Sequence, residues 1–200
     1  YRPIHELAKK NGVPYKKFKK INDAENIALL KELEPDYIFV IGLSQLVSDE
    51  ILKCAKKGVI GYHPAPLPKC RGRAAIVWQI LLGVKESAVS LFFIDNGIDS
   101  GDIICQEKFE IKDTDYAEDV LRTCEEAALK AISRGIDNLL DPDFEPIKQN
   151  EEEATYAPML KKEMGEIDFG KTAEELKVSG SADAEIMVGK LLNGIGGEVS

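Results

Sequence analysis

Two loops in this 200-residue chain gather residue types that can move protons. The first runs Gly61-Tyr-His-Pro-Ala-Pro-Leu-Pro-Lys-Cys-Arg-Gly-Arg73, a histidine just past a short apolar run, followed by three prolines. An imidazole exchanges its proton near neutral pH, and prolines fix the backbone that holds it. The second runs Ile94-Asp-Asn-Gly-Ile-Asp-Ser-Gly-Asp102, three carboxylates in a glycine-bounded turn. In open α/β sheets ligands bind beyond the carboxyl ends of the strands. If both loops top the same sheet edge, His63 and Asp99 can meet as a proton carrier and its orienting carboxylate. Each residue also has an ordinary reading. A lone histidine is more often a hydrogen-bonded structural group, and aspartates commonly shape turns. Three prolines commonly mean only a stiff connection, and Trp78 on a helix belongs more often to a core than to a ligand site. Cys70 lies close to His63 in sequence, but nothing around it builds a thiol nucleophile. No metal-ligand spacing is present, and the chain has two histidines in all.

The elements that must position these loops alternate between helix and strand. Pro3 to Lys10 reads as a short helix stopped by Gly12, and Asp23 caps a helix running to Leu33. Asp36 to Ile41 is a continuous apolar run ending at Gly42, the pattern of a strand buried on both faces. Ser48 opens another helix, and Gly58 to Tyr62 forms a short strand leading into His63. Ala74 to Leu82 is helical, Ser87 to Asp95 and Ile103 to Ile111 are strands. Thr114 or Asp115 caps a long helix to about Leu140, with Leu121, Cys124, Ala128, Ile132, Ile136 and Leu139 at helical spacing. Such alternation favours an α/β sheet with helices on both faces. After Asp141, Pro142, Pro146 and three consecutive glutamates suggest a surface linker, and Ala154 to Leu176 is expected to wrap back over the domain. The chain therefore divides into a domain over 1–150, a closing segment over 151–176, and a tail of unassigned role over 177–200.

Composition narrows the classes further. Hydrophobic residues make up 44% and charged residues 30%, ordinary for a globular protein. A net charge of −9 argues against a broad grip on nucleic acid, which needs clustered Lys and Arg, although Lys69, Arg71 and Arg73 form a local basic patch. No apolar run is long enough for a membrane span, and no signal peptide opens the chain. Four scattered cysteines without C-x-x-C spacing fit free thiols in a reducing cytoplasm.

From Gly58 to Asp102 the chain resembles the folate-dependent formyltransferases. The residues that carry the likeness are His63-Pro-Ala-Pro-Leu-Pro68, Arg71-Gly72 and Asp99-Ser-Gly101, in the family's order. It extends to Glu34-Pro-Asp-Tyr-Ile-Phe-Val-Ile-Gly-Leu43 and to Thr155-Tyr-Ala-Pro-Met-Leu-Lys-Lys-Glu-Met-Gly-Glu-Ile-Asp168, roughly residues 1–176 in all. The implied fold is α/β, a Rossmann-like, mostly parallel sheet with helices on both faces, without the strand–helix–strand unit with which the family begins. The implied reaction is transfer of a formyl group from 10-formyltetrahydrofolate to a primary amine through a tetrahedral oxyanion. His63 would stabilise that oxyanion and move protons, while Asp99 would orient His63 and assist the amine. The pterin would lie against Gly42, Leu43, Ser44, Gln45 and Leu46 and against the Asn96, Gly97 and Ser100 turn. The wording Arg-Gly-Arg-Ala followed by Ile-x-Trp looks most like enzymes acting on nucleotide-linked amino sugars, with Arg71 or Arg73 on the diphosphate and Trp78 beside the substrate. Pairing of both arginines with neighbouring carboxylates is the equal alternative. Methionyl-tRNA formyltransferase is the nearest rival, the one reading that brings nucleic acid in as partner. Formyltetrahydrofolate hydrolase and a non-catalytic folate-binding module follow. The expected partner is otherwise a small molecule, with no membrane and with room for a homodimer. The family usually carries Asn two residues before the histidine, and here that position is Gly61.

Overall fold

The computed structural model describes residues 4–159. In chain order these form α1 (Ile4–Lys10), α2 (Ala24–Leu33), β1 (Tyr37–Val40), α3 (Asp49–Leu52), β2 (Gly58–His63), β3 (Arg71–Gly72), α4 (Ala75–Leu81), β4 (Glu86–Phe93), β5 (Ile103–Glu110), α5 (Ala117–Leu140) and β6 (Tyr156–Ala157). The α/β class stands as read. Residues 160–200, and with them most of the closing segment and the whole tail, lie outside the described residues.

The described chain divides into two compact units, one reaching Ile38 and resuming over Leu43–Gly58, the other made of Phe39–Gly42 and everything from Val59 onward. The first unit closes around Ile27, Ile51 and Cys54, with Ile21, Leu30, Ile38 and Val47 packed against them. Asp23 and Ser48 occupy the N-cap positions of α2 and α3 in extended backbone, as the sequence predicts, but neither side chain makes the capping hydrogen bond. The link between α1 and α2 is tied to the Gln45 side chain instead. Gln45 Oε1 accepts from the Ile21 N–H at 2.8 Å, and Nε2 donates to the Lys19 carbonyl at 2.7 Å.

The second unit is built on a sheet of order β1-β2-β4-β5. Strand β2 pairs antiparallel with β4, setting Gly61 opposite Phe92 and His63 opposite Ser90. β4 and β5 form a hairpin joined by the loop over 94–102, with a register shift between Leu91 and Phe92. β3 and β6 make a separate parallel pair, Arg71 against Tyr156 and Gly72 against Ala157, a contact that no periodicity in so short a stretch could announce. Strand β1 differs from the expectation of burial on both faces. It ends the strand order, and Phe39 and Ile41 remain 39% and 47% exposed.

Helix α5 buries Cys124 and Leu139 as expected, but the rest of its inward face differs. Its buried residues are Ala117, Val120, Cys124, Ala127, Ala131, Gly135 and Leu139, while Leu121 and Ile136 are exposed. Close approach explains the difference. A Cβ on Gly135 would lie 2.7 Å from Leu91 Cδ1, so small residues, not the largest apolar ones, meet the sheet. The helix starts at Ala117 with Tyr116 as cap, because the Asp119 carboxylate reaches back to the Tyr116 N–H at 3.1 Å.

The proline-rich loop after His63 is held by buried polar side chains. Ser90 Oγ donates to the Ala65 carbonyl at 2.6 Å and accepts from the Leu67 N–H at 3.2 Å. Gln106 Nε2 donates to the Leu67 carbonyl at 2.7 Å, and Gln79 Nε2 to the Pro64 carbonyl at 2.8 Å. Prolines cannot donate, so their carbonyls and neighbours must find partners in adjacent elements. Here β4, β5 and α4 supply them.

Candidate active site

His63 is the last residue of β2, and its side chain is 7% exposed. Nε2 lies 2.8 Å from the Cys70 carbonyl oxygen, and since a carbonyl only accepts, Nε2 carries the hydrogen. Nδ1 then faces Asp99 Oδ2 at 3.6 Å. An imidazole nitrogen and a carboxylate oxygen thus stand side by side, the two groups between which a proton from an incoming N–H can be taken up.

The turn that presents Asp99 is organised by Asp95. Asp95 Oδ1 accepts from the Gly97 N–H at 2.9 Å and from Ser100 Oγ at 2.8 Å. At Gly101 a Cβ would lie 1.8 Å from the Phe93 carbonyl oxygen, so only glycine lets the hairpin close. Asp99 itself has φ 50, in the left-handed region, and its Oδ2 accepts from the Gly72 N–H at 2.8 Å. Asn96 and Gly97 stay exposed, and Ser100 is half-buried with its hydroxyl spent inside the turn.

The residues expected at a substrate separate into three kinds. Arg71 is 0% exposed, its guanidinium bound to Gln149, Glu151 and Tyr156, so the carboxylate-pairing alternative is the arrangement found there. The Glu151 carboxylate first, and the Tyr156 hydroxyl after it, raise the Arg71 pKa further, and Arg71 holds the Glu151 carboxyl below the ordinary carboxylate range. Arg73, two residues on, is exposed. Trp78 is half-buried and donates its indole N–H to the Pro158 carbonyl at 2.8 Å, which ties α4 to the returning segment. Cys70 meets His63 through its carbonyl and not its sulfur, and burial raises its thiol pKa, which disfavours the thiolate.

Gly42, with φ 68, belongs to the second unit, whereas Leu43, Ser44, Gln45 and Leu46 belong to the first. The Gln45 amide is spent on Ile21 and Lys19, so a ligand at this segment meets main chain and the exposed Ser44 and Leu46 side chains. Among the described residues no group of His, Cys, Asp and Glu is arranged to hold a metal ion, and no helix is long and apolar enough to cross a membrane.

Gly61 has a physical partner in the facing strand. A Cβ there would lie 2.7 Å from Phe92 Cζ and 3.0 Å from Ile94 Cγ1, and Phe92 is buried with Leu67 and Ile103. Gly61→Asn should therefore cost about 1–3 kcal/mol by overpacking. Denaturant unfolding checks this, and pairing the change with Phe92→Ala should cost less than the two single losses added together. Additive losses would show that the ring does not occupy the space an Asn side chain needs.

Sequence reasoning passed over Gln149, Glu151 and the Cys70 carbonyl. Thr155 and Tyr156 were legible as part of a motif, but their contacts to Cys70 and Arg71 were not. A glutamine before a run of glutamates carries no local signal, because its role depends on residues roughly fifty and eighty positions earlier.

Comparison with known proteins follows the same line. A family model described as formyl transferase matches residues 2–136. Methionyl-tRNA formyltransferase of Clostridium perfringens is 35% identical over 175 residues, 87% of this chain and 57% of that protein. The enzyme of the same name from Clostridium tetani is 36% identical over 176 residues, 88% of this chain and 57% of that one. Among solved structures, an N-formyltransferase from Helicobacter canadensis, crystallised with folinic acid and dTDP-3-aminofucose, is 29% identical. Its TM-score is 0.65, over 89% of this chain and 62% of that one. The chain thus spans a little over half the length of the curated relatives it matches.

Proposed function

The chain belongs to the formyl transferase family, and on that premise we propose that it transfers a formyl group from 10-formyltetrahydrofolate to a primary amine. The observation that carries this is the His63–Asp99 pair, a buried imidazole nitrogen 3.6 Å from a carboxylate oxygen. The bound donor supplies an electrophilic formyl carbon. An attacking amine must lose a proton as its nitrogen bonds to that carbon, and the pair is placed to take it. Asp99 Oδ2 keeps its own place through the Gly72 N–H, so the carboxylate need not move to receive the amine. Once protonated on both nitrogens, His63 is cationic and favours negative charge developing on the formyl oxygen. Collapse of the adduct breaks the bond from the formyl carbon to the donor's N10, and the proton held by the pair passes to that nitrogen, releasing tetrahydrofolate. The exposed residues Asn96 and Gly97, on the turn that carries Asp99, are where a pterin edge that offers both donors and acceptors would meet the turn.

For the acceptor, the curated relatives reverse the order read from the loop wording. Methionyl-tRNA formyltransferases at 35–36% identity favour the methionyl amine of an aminoacyl-tRNA as the first reading. The acidic balance weighed against tRNA describes only a span equal to 57% of such a relative. Nucleotide-linked amino sugars are the second reading. They are favoured by the likeness to the Helicobacter canadensis enzyme and by Arg73, which is exposed where a diphosphate could reach it.

The test incubates the full-length protein with 10-formyltetrahydrofolate and either methionyl-tRNA or nucleotide-linked 3- and 4-amino sugars, following tetrahydrofolate release and product mass. Release that requires methionyl-tRNA is the expected result, and release that requires a sugar moves the acceptor to the second reading. Release without any amine indicates a hydrolase. Donor binding with no release at all indicates a folate-binding module and overturns the proposal.

A further inference from the structure

We infer that Gln149 is a positioning residue for the His63–Asp99 pair, held in one orientation by the buried Arg71. The inference deepens the formyl-transfer reading and rests on it. Gln149 Nε2 donates both hydrogens into the turn that carries Asp99, to the Asp99 carbonyl at 2.8 Å and to the Gly101 carbonyl at 2.6 Å. A side-chain amide could present its oxygen there instead, which would set three acceptors against one another. Arg71 removes that choice. Its Nε and Nη2 donate to Gln149 Oε1 at 3.1 and 2.7 Å, so the oxygen must face the guanidinium and the amino group must face the turn. Arg71 is fixed in its turn by the Glu151 carboxylate, which takes Nη1 at 2.9 Å and Nη2 at 2.6 Å, and by the Tyr156 hydroxyl at 3.0 Å.

The same assembly reaches the carboxylate from the other side. Arg71 sits in β3, and the next residue, Gly72, gives its N–H to Asp99 Oδ2. Asp99 is thus gripped at its carbonyl by Gln149 and at its carboxylate by Gly72, and both grips are referred to one buried cation. The grip is needed because Asp99 holds a left-handed backbone conformation that disfavours side-chain-bearing residues. Without the two amide bonds the turn has an easy route back to ordinary φ, and the carboxylate would swing from Nδ1. A misplacement of about 1 Å in a reacting group can cost about 100-fold in rate.

The test uses Gln149→Met, which keeps length and removes both donors, in the full-length protein. The readouts are kcat and KM for formyl transfer, the thermal midpoint, and the imidazole signals in a long-range proton–nitrogen NMR spectrum. A His63→Gln variant, run in parallel, identifies the His63 signals by their loss. The expected result is a fall in kcat of about 100-fold with donor KM little changed, together with a displaced His63 Nδ1 resonance. A lower thermal midpoint with kcat and the Nδ1 resonance unmoved would make Gln149 merely structural and overturn the inference. Should Gln149→Met fail to fold, Gln149→Glu keeps the volume and the Arg71 contact, lacks both donors, and reads the same quantities. If the unmodified protein transfers no formyl group, the functional reading fails, while the Nδ1 resonance still decides whether Gln149 positions the pair.

Discussion

Asp99→Asn and His63→Ala should each slow formyl transfer by about 100- to 10,000-fold, the range lost when a positioned acid–base group is removed. Asp99→Asn is the sharper of the two. An asparagine oxygen can still accept the Gly72 N–H, so the turn and its contacts persist, but the charge and proton affinity facing Nδ1 are gone. His63→Ala removes the ring and leaves the Cys70 carbonyl without its donor. Neither change touches Asn96, Gly97 or the Gly42–Leu46 segment, so affinity for the folate donor should be preserved. Single-turnover rates together with donor titration check both halves. Full activity in either variant would remove the pair from the mechanism, and loss of donor binding would move these residues from chemistry to binding.

Arg71→Met should lower stability by about 1–3 kcal/mol, the range for leaving hydrogen-bond partners without their donor. The larger cost of stranding a buried charge does not arise, because the Glu151 side chain is 66% exposed and recovers water when its partner goes. Gln149 Oε1 and the Tyr156 hydroxyl also lose their donor, and methionine fills only part of the volume. The effect depends on pH with a definite sign. Arg71 holds the Glu151 carboxyl below its ordinary value. The stability this contributes is present above the unfolded carboxylate value, about 4.3, and is lost as pH falls through the lower folded one. The variant has no such contribution to lose, so the gap between the two proteins should narrow on acidification. Denaturant unfolding at neutral and acid pH measures this. Equal stability at neutral pH would mean that the Arg71 network adds nothing net.

Both predictions depend on residues of different legibility. His63 stood out because a histidine at the end of a short apolar strand, followed by prolines, is unusual at the level of a dozen residues. Asp99 was one of three aspartates in a turn, and the resemblance to the formyltransferases selected it. In the structure Asp95 builds the turn, and Asp99 is the one at φ 50 with its carboxylate toward the histidine. Arg71 reads equally as a phosphate ligand and as a partner of carboxylates, and nothing local chooses between them or points to Glu151 and Gln149.

The order of helices and strands, the α/β class and the family were readable because each rests on short-range pattern: apolar runs, caps, breakers and a motif within a few turns of chain. Helix boundaries came within a few residues for the same reason. The inward face of α5 was legible only at Cys124 and Leu139, since the close approach of Leu91 at Gly135 favours small residues there over the larger apolar ones. The pairing of β3 with β6 and the Arg71–Gln149 clamp were not legible. Those contacts join residues far apart in the chain, and a buried charge or amide acquires its role only from the partners that folding brings to it.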